Sequence, residues 1–354
     1  MLNICLTFDY ELFFGENYVS EEEVLFAPTK KLLNILQKEE VSATFFVDIY
    51  SYIRHLELGI LDYSRLFAEQ LQSMIDLNQD VQLHIHPHWI YSDYVDGRWK
   101  FDPSHYSLDD FQCGDENINT EKIVQNSIRA LKEILGTNYQ CVAFRAGGLS
   151  MQPENEVIQL LIDNGILIDS SIAPRMKTVA YNFKGTPHKL NWKISPKYGI
   201  RTDAKSEEDF VLEVPVATIR NNIFRFLRVG LENLRIPSSK PKGSFYTSNK
   251  AVKSNKWHET VDTFCRRIAG YSMLSLDTKG YKLLKKELDS IYAEYRCDRY
   301  DAAISIICHP KMLTGDSLEN IQNFIRMISE DQKRYKFTNM KGITGTVIMP
   351  RIEG

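Results

Sequence analysis

The stretch Gln82-Leu83-His84-Ile85-His86-Pro87-His88-Trp89 gathers three of the chain's eight histidines within five residues. Neutral imidazole is the commonest protein ligand for zinc and its neighbours, and alternate residues of an extended segment face one way, so these rings can share one side. Pro87 ends a strand ladder and puts the cluster where strand becomes loop. Taken alone, such a tract is equally compatible with a surface cluster that binds nothing. Four more residues of useful chemistry, Asp9, Arg145, Asp169 and His309, each follow a short apolar run.

Those runs are the elements that must position them. Asn3 to Phe8, Ser42 to Val47, Val81 to His84, Cys141 to Phe144, Ile166 to Ile168, Phe210 to Val214 and Ala303 to Cys308 read as strands, with a strand-like tail at Thr346 to Met349. Between them, Pro28 to Lys38, Tyr63 to Leu77, Glu121 to Leu135, Glu154 to Asn164, Tyr281 to Tyr295 and Ser317 to Ser329 carry helical spacing, with Gly136 closing the third. Strands alternating with helices predict a parallel α/β barrel. In such a barrel the chemistry sits at the C-terminal ends of the strands, where Asp9, His84 to His88, Arg145, Asp169 and His309 all fall. A structural reading would need five separate coincidences.

The ordered set Leu6-Thr7-Phe8-Asp9, His84-x-x-x-His88, Phe144-Arg145-Ala146-Gly147-Gly148, Asp169-Ser170-Ser171 and Ile307-Cys308-His309-Pro310 resembles the polysaccharide deacetylase family with the NodB homology domain. Ala43-Thr44-Phe45-Phe46-Val47 is similar to that family's second strand. The resemblance implies a distorted (β/α)7 barrel with loop insertions, and metal-dependent removal of an N-acetyl group from an amino sugar. By motif, it makes Asp9 the general base, His84 and His88 metal ligands, Arg145 the partner of the base and His309 the general acid. Asp169 would hold or tune His309.

Two positions depart from the pattern. Where the family places a second aspartate as metal ligand, this chain has Tyr10. Along a strand Asp9 and Glu11 share a face and Tyr10 points away, so Glu11 becomes the carboxylate ligand. The family's proline after the arginine is replaced by Ala146-Gly147-Gly148, read as a looser turn. Which two of His84, His86 and His88 ligate stays open. His86, Trp89 and Ser170 are candidates for substrate contact, with Tyr91 and Tyr94 as further rings on which a sugar could stack.

The whole chain fits this reading. Its 354 residues suit one barrel domain, 1–354, with insertions near 90–120 and 217–262. The chain is 43% hydrophobic and 25% charged with a net charge of −3, which argues against a nucleic-acid partner. Cys5, Cys113, Cys141, Cys265, Cys297 and Cys308 show no CxxC spacing and read as packing residues in a reduced compartment. No export signal and no apolar run of about 20 residues is visible, and the expected location is cytoplasmic. Ile219 to Lys256 holds nine Lys or Arg against one acid, Glu232, with Ile223, Leu227, Leu231 and Leu234 on one helical face. Such a helix packs on the barrel or touches an anionic membrane peripherally.

The expected activity is therefore a zinc-dependent (or other divalent-metal-dependent) N-deacetylase acting on an acylated amino sugar of a nucleotide- or lipid-linked glycan precursor. The alternatives are a metal-dependent amidase on a non-sugar small molecule, a degenerate carbohydrate-binding barrel and, from ligand types alone, a ferrous oxygenase.

Overall fold

The apolar runs become parallel strands. The computed structural model describes residues 1–14, 20–111, 118–188, 191–205, 208–225, 269–276 and 280–344. Its barrel strands are β1 (Leu2–Tyr10), β2 (Thr44–Asp48), β3 (Asp80–Ile85), β4 (Ala143–Ala146), β5 (Ile168–Asp169), β6 (Val211–Glu213) and β7 (Ala302–Cys308). They pair in the order β7-β1-β2-β3-β4-β5-β6, every neighbour parallel. The curled sheet brings Val216, just past β6, back to a single parallel bridge with Ser305 of β7. There Ala217 N–H donates to Ser305 O at 2.8 Å and Ser305 N–H to Pro215 O at 2.9 Å. Ser275 adds a second isolated parallel bridge, to Ile307 of β7. A (β/α)7 barrel closed by isolated bridges, where a full ladder would give a regular barrel, is the distortion that the resemblance implies. Trp192–Ile194 adds an antiparallel strand outside β6.

The helices α1 (Ala27–Lys38), α2 (Ile49–Glu57), α3 (Leu61–Asp76), α4 (Thr120–Leu135), α5 (Asn155–Asp163), α6 (Tyr281–Glu294) and α7 (Gly315–Ser329) connect the strands. Each buries one stripe, as with Leu32, Leu33 and Leu36 of α1 or Ile123, Val124 and Leu131 of α4. Both faces of β1 are thereby covered, which is why it reads as an almost unbroken apolar run with eight of its nine residues buried. Local signals set the helix ends. The Asn119 side chain accepts from Lys122 N–H at 2.9 Å to start α4, and Gly136 ends it with φ of 93°. Thr314 and Ser317 cap the start of α7 reciprocally.

Among the elements not foreseen, two pack on the barrel next to β1 or β2. Four of the five α2 residues Ile49 to Ile53 are β-branched or aromatic, a strand-like composition that tertiary burial overrides. Tyr335–Thr338 forms a strand on the lower part of β1, Leu2 to Cys5, along the edge whose upper part, Thr7 to Tyr10, pairs with β2. The tail expected at Thr346 to Met349 lies outside the described residues. The stretch near 90–120 holds a hairpin, Asp93–Val95 with Arg98–Lys100, and a short 3-10 turn at Leu108–Phe111.

Most of the basic segment, residues 226–256, also lies outside the described residues. Within the described part Arg225 donates from Nε to Glu287 Oε1 of α6 at 2.7 Å. Cys5, Cys141, Cys297 and Cys308 are buried free thiols, as packing residues should be. Among the described residues no helix is long and apolar enough to cross a membrane.

Candidate metal centre and cleft

All seven strands deliver a polar residue to one rim: Asp9, Asp48, His84, Arg145, Asp169, Glu213 and, directly after β7, His309. The alternation expected along β1 holds. Tyr10 points outward, donating to Gln70 Oε1 of α3 at 2.7 Å, while Asp9 and Glu11 face the barrel interior.

Donor atoms of Glu11, His84 and His86 converge within 4.8 Å of one another, and all three side chains are buried. His84 Nε2 stands 3.3 Å from Glu11 Oε2, and His86 Nε2 lies against that same oxygen. His84 Nδ1 is 2.7 Å from the Arg145 carbonyl. That contact fixes the tautomer with the proton on Nδ1 and leaves the Nε2 lone pair aimed at Glu11, the second-shell arrangement common to histidine ligands. Two imidazoles and a carboxylate with one ring already oriented fit a divalent cation.

His88, expected as a ligand with His84, falls outside this group. Residues 84 and 86 share a face because β3 is extended, but Pro87 starts a 3-10 turn, Pro87–Tyr91, that swings His88 onto the cleft wall. His86, assigned above to substrate contact, takes the position expected for His88. The backbone N–H of His86 donates to Asp48 Oδ1 at 3.3 Å and the Trp89 indole to Asp48 Oδ2 at 2.7 Å, so Asp48 pins the turn. Trp89 is therefore a structural anchor, wholly buried and away from the cleft, and offers no face to a sugar. Tyr91 and Tyr94 are exposed but do not line the cleft either.

The Arg145 side chain is fully buried and donates from Nη1 to Asp9 Oδ1 at 2.5 Å. The pair is single, not bidentate. Nε reaches Ser170 O at 2.9 Å, and Nη2 reaches Thr7 Oγ1 at 3.0 Å, Ser170 Oγ at 3.0 Å and Ser305 Oγ at 2.6 Å. Its guanidinium also lies 4.2 Å from the Phe46 ring centre. Ser170, expected to touch substrate, is instead buried as a support for this arginine, its hydroxyl donating to Val214 O at 2.8 Å.

Asp169 accepts from Ser171 Oγ at 2.6 Å and adjoins Glu213. Burial lifts the Asp169 carboxyl above its ordinary range, and burial together with the Asp169 charge lifts Glu213 well above its own. This buried acid pair does not line the cleft. His309 Nε2 is 3.7 Å from both Asp9 Oδ2 and Glu11 Oε1. It therefore stands directly beside both carboxylates.

Lys311 was missed. Its buried ammonium donates to Glu11 Oε1 at 2.8 Å and to the Leu12 carbonyl at 2.9 Å. The signal was available: a lysine two residues past His309, on the same rim. Burial pushes the Glu11 carboxyl up, but Lys311, His86 and His84 outweigh it and hold the group well below its ordinary range. Burial pulls the His84 ring down, yet Glu11, Asp9 and Asp48 leave it above its ordinary value. Burial, reinforced by His86, keeps His88 well below the usual imidazole range and hence neutral. Neither ring nitrogen of His88 finds a hydrogen-bond partner among the described residues.

These groups open into a cleft of about 400 Å³ whose charged and imidazole lining is Asp9, Glu11, His86, His88, Asp102 and His309. Phe14, Phe101, Pro103, Tyr106, Leu149, Tyr181, Met273 and Ile307 make the rest mostly apolar. Burial and Glu11 push the Tyr106 phenol up to about 12, so it stays a neutral donor. The glycine pair after Arg145 gives clearance and not looseness. A Cβ on Gly147 would stand 2.5 Å from Ile85 O and 2.8 Å from His86 Nδ1, and one on Gly148, whose φ is +57°, would collide with the Tyr106 hydroxyl.

No family model matches the chain, and no curated protein does. Solved structures do. A Mycobacterium smegmatis protein named as a polysaccharide deacetylase superimposes with a TM-score of 0.50 at 14% identity, covering 98% of this chain and 90% of its own. A Pseudomonas aeruginosa PAO1 protein named likewise gives 0.49 at 14% identity, covering 97% and 89%. A Thermococcus litoralis 4-alpha-glucanotransferase gives 0.50 at 8% identity, covering 99% of this chain and 41% of that one. At such identities the likeness is one of fold. The chain adopts the NodB-type (β/α)7 barrel of the polysaccharide deacetylases.

Proposed function

We propose that this protein is a divergent, metal-dependent deacylase that removes an N-acetyl group from an amino sugar of a nucleotide- or lipid-linked glycan precursor. The observation that carries the reading is His84, oriented by the Arg145 carbonyl so that Nε2 meets Glu11 beside His86. Amide hydrolysis needs an activated water, charge stabilisation at the carbonyl oxygen and a proton for the leaving nitrogen. A divalent cation held by Glu11, His84 and His86 would supply the first two as a Lewis acid, and zinc suits the donor set.

The chain's own residues do the rest. Arg145 fixes Asp9 in one orientation through Oδ1, leaving Oδ2 toward the cleft to accept a proton from water. His309, 3.7 Å from Oδ2, is placed to carry a proton to the departing amine. His88, whose ring nitrogens have no hydrogen-bond partner among the described residues, and the Tyr106 hydroxyl are the groups that would hydrogen-bond the substrate. A described cleft volume of about 400 Å³ is in the range of small-molecule sites and suits one acylated sugar unit better than a polymer strand.

The apolar wall made by Phe14, Phe101, Leu149, Met273 and Ile307 favours one second reading, an amidase acting on a small amide with an apolar portion. Acetate release from N-acetylated sugar nucleotides, measured beside a panel of non-sugar amides with Zn²⁺, Co²⁺ or Mn²⁺ present, separates the two. Folded protein that releases no acid from any of them, with any ion, overturns both.

A further inference from the structure

The two oxygens of Glu11 are divided between different partners. Oε2 faces His84 and His86, while Oε1 accepts from the Lys311 ammonium at 2.8 Å. Lys311 sits on the turn directly after β7, Pro310–Met312, and its side chain is fully buried. Its second donor goes to the Leu12 carbonyl at 2.9 Å, and the Phe14 and Phe13 rings stand 4.8 and 5.3 Å from the ammonium. An ammonium so enclosed has no aqueous alternative, and breaking its pair with Glu11 would leave a buried charge uncompensated.

We propose that Lys311 is a positioning residue that restricts Glu11 to one donor oxygen and weakens the centre's hold on a divalent cation. This rests on reading Glu11, His84 and His86 as the metal ligands. With Oε1 engaged by Lys311, the carboxylate cannot chelate through both oxygens, so positions on the cleft side stay available to substrate. The ammonium also cancels the only formal negative charge in the three-residue donor set. Cation affinity is thereby lower than two histidines and an uncompensated glutamate would give, and the ion remains exchangeable.

Calorimetric titration of Zn²⁺ into metal-stripped wild type and Lys311→Met tests this, because methionine retains the unbranched stem up to the Cε position and removes the charge. The variant should bind at least about tenfold more tightly, since removing a unit charge a few ångströms from the ion outweighs the lost anchoring. A folded variant that binds Zn²⁺ within twofold of wild type, or more weakly, overturns the proposal while leaving the metal reading intact. Wild type that takes up no divalent ion overturns both. A variant that does not fold leaves the wild type to decide. X-ray absorption of the Zn²⁺-loaded protein should give a single carboxylate oxygen from Glu11, and two would overturn the proposal.

Discussion

Arg145→Met should be among the most damaging single substitutions in this barrel, and the structure says why. The guanidinium serves five acceptors, yet three of them keep a partner without it. Thr7 and Ser305 hydroxyls bond each other at 2.8 Å, and the Ser170 hydroxyl reaches Val214 O at 2.8 Å. What is stranded is the Asp9 carboxylate, 4% exposed, together with the Ser170 carbonyl. Removing one partner of a buried ion pair costs about 3–5 kcal/mol, whereas a net hydrogen bond is worth only about 1 kcal/mol, so the charge dominates. Asp9→Asn in the same background removes that stranded charge, and the double variant should recover about 2–3 kcal/mol relative to the sum of the single losses. Urea unfolding followed by tryptophan fluorescence at neutral pH measures all four corners of the cycle. If the two losses simply add, or if Arg145→Met unfolds within about 1 kcal/mol of wild type, the account of Arg145 as counter-ion to Asp9 is wrong.

Three further outcomes follow from the site. Glu11→Gln, His84→Ala and His86→Ala should each lower Zn²⁺ affinity by at least about tenfold to a hundredfold, while His88→Ala retains it and raises KM; loss of the ion from His88→Ala would return that residue to the ligand shell. Because Glu213 has its carboxyl raised, the folded state keeps a proton that the unfolded chain releases. Stability should therefore fall as pH climbs above the ordinary glutamate value, by up to about 1.4 kcal/mol per unit, and Glu213→Gln should flatten that slope and be the more stable protein at pH 7 in thermal melts at stepped pH. Gly148→Ala should drive Tyr106 out of the cleft wall, raising KM several-fold with kcat kept within about twofold; equal losses in both would mean that Tyr106 acts in the chemical step.

Much of the barrel was legible because the signals are local and periodic. Fully buried parallel strands read as apolar runs, and caps such as Asn119 and Gly136 mark helix ends. The rim was legible for the same reason: residues directly after strands 1, 3, 4, 5 and 7 had to meet at one end. The detail inside the rim depends on geometry that spacing does not carry. An i, i+4 pair of histidines and an i, i+2 pair are equally plausible in sequence, and only the turn begun by Pro87 decides between them. Trp89 and Ser170 looked ready for substrate, but each proved to be a buried support, because an indole N–H or a hydroxyl inside a barrel must find an acceptor. Lys311 went unread because a lysine is ordinarily a solvated surface residue, although its place two residues past His309 set it on the same rim as Glu11.

The strand Tyr335–Thr338 bears on the order in which the molecule is made. It seals the lower edge of β1, and β7 seals the opposite edge, so the first nine-residue strand is completed by segments roughly 300 positions downstream. A ribosome would release Asp9 and Glu11 early and their surroundings last. Until then the Leu2 to Cys5 edge has unpaired backbone groups, the kind of edge that recruits foreign strands. Loop-closure entropy of that span must be met before the pairing rewards it, which makes for slow folding and a late-formed site. A nascent chain arrested before residue 335 should accordingly be captured by chaperones and cleaved readily by protease within β1, while the full-length chain resists there.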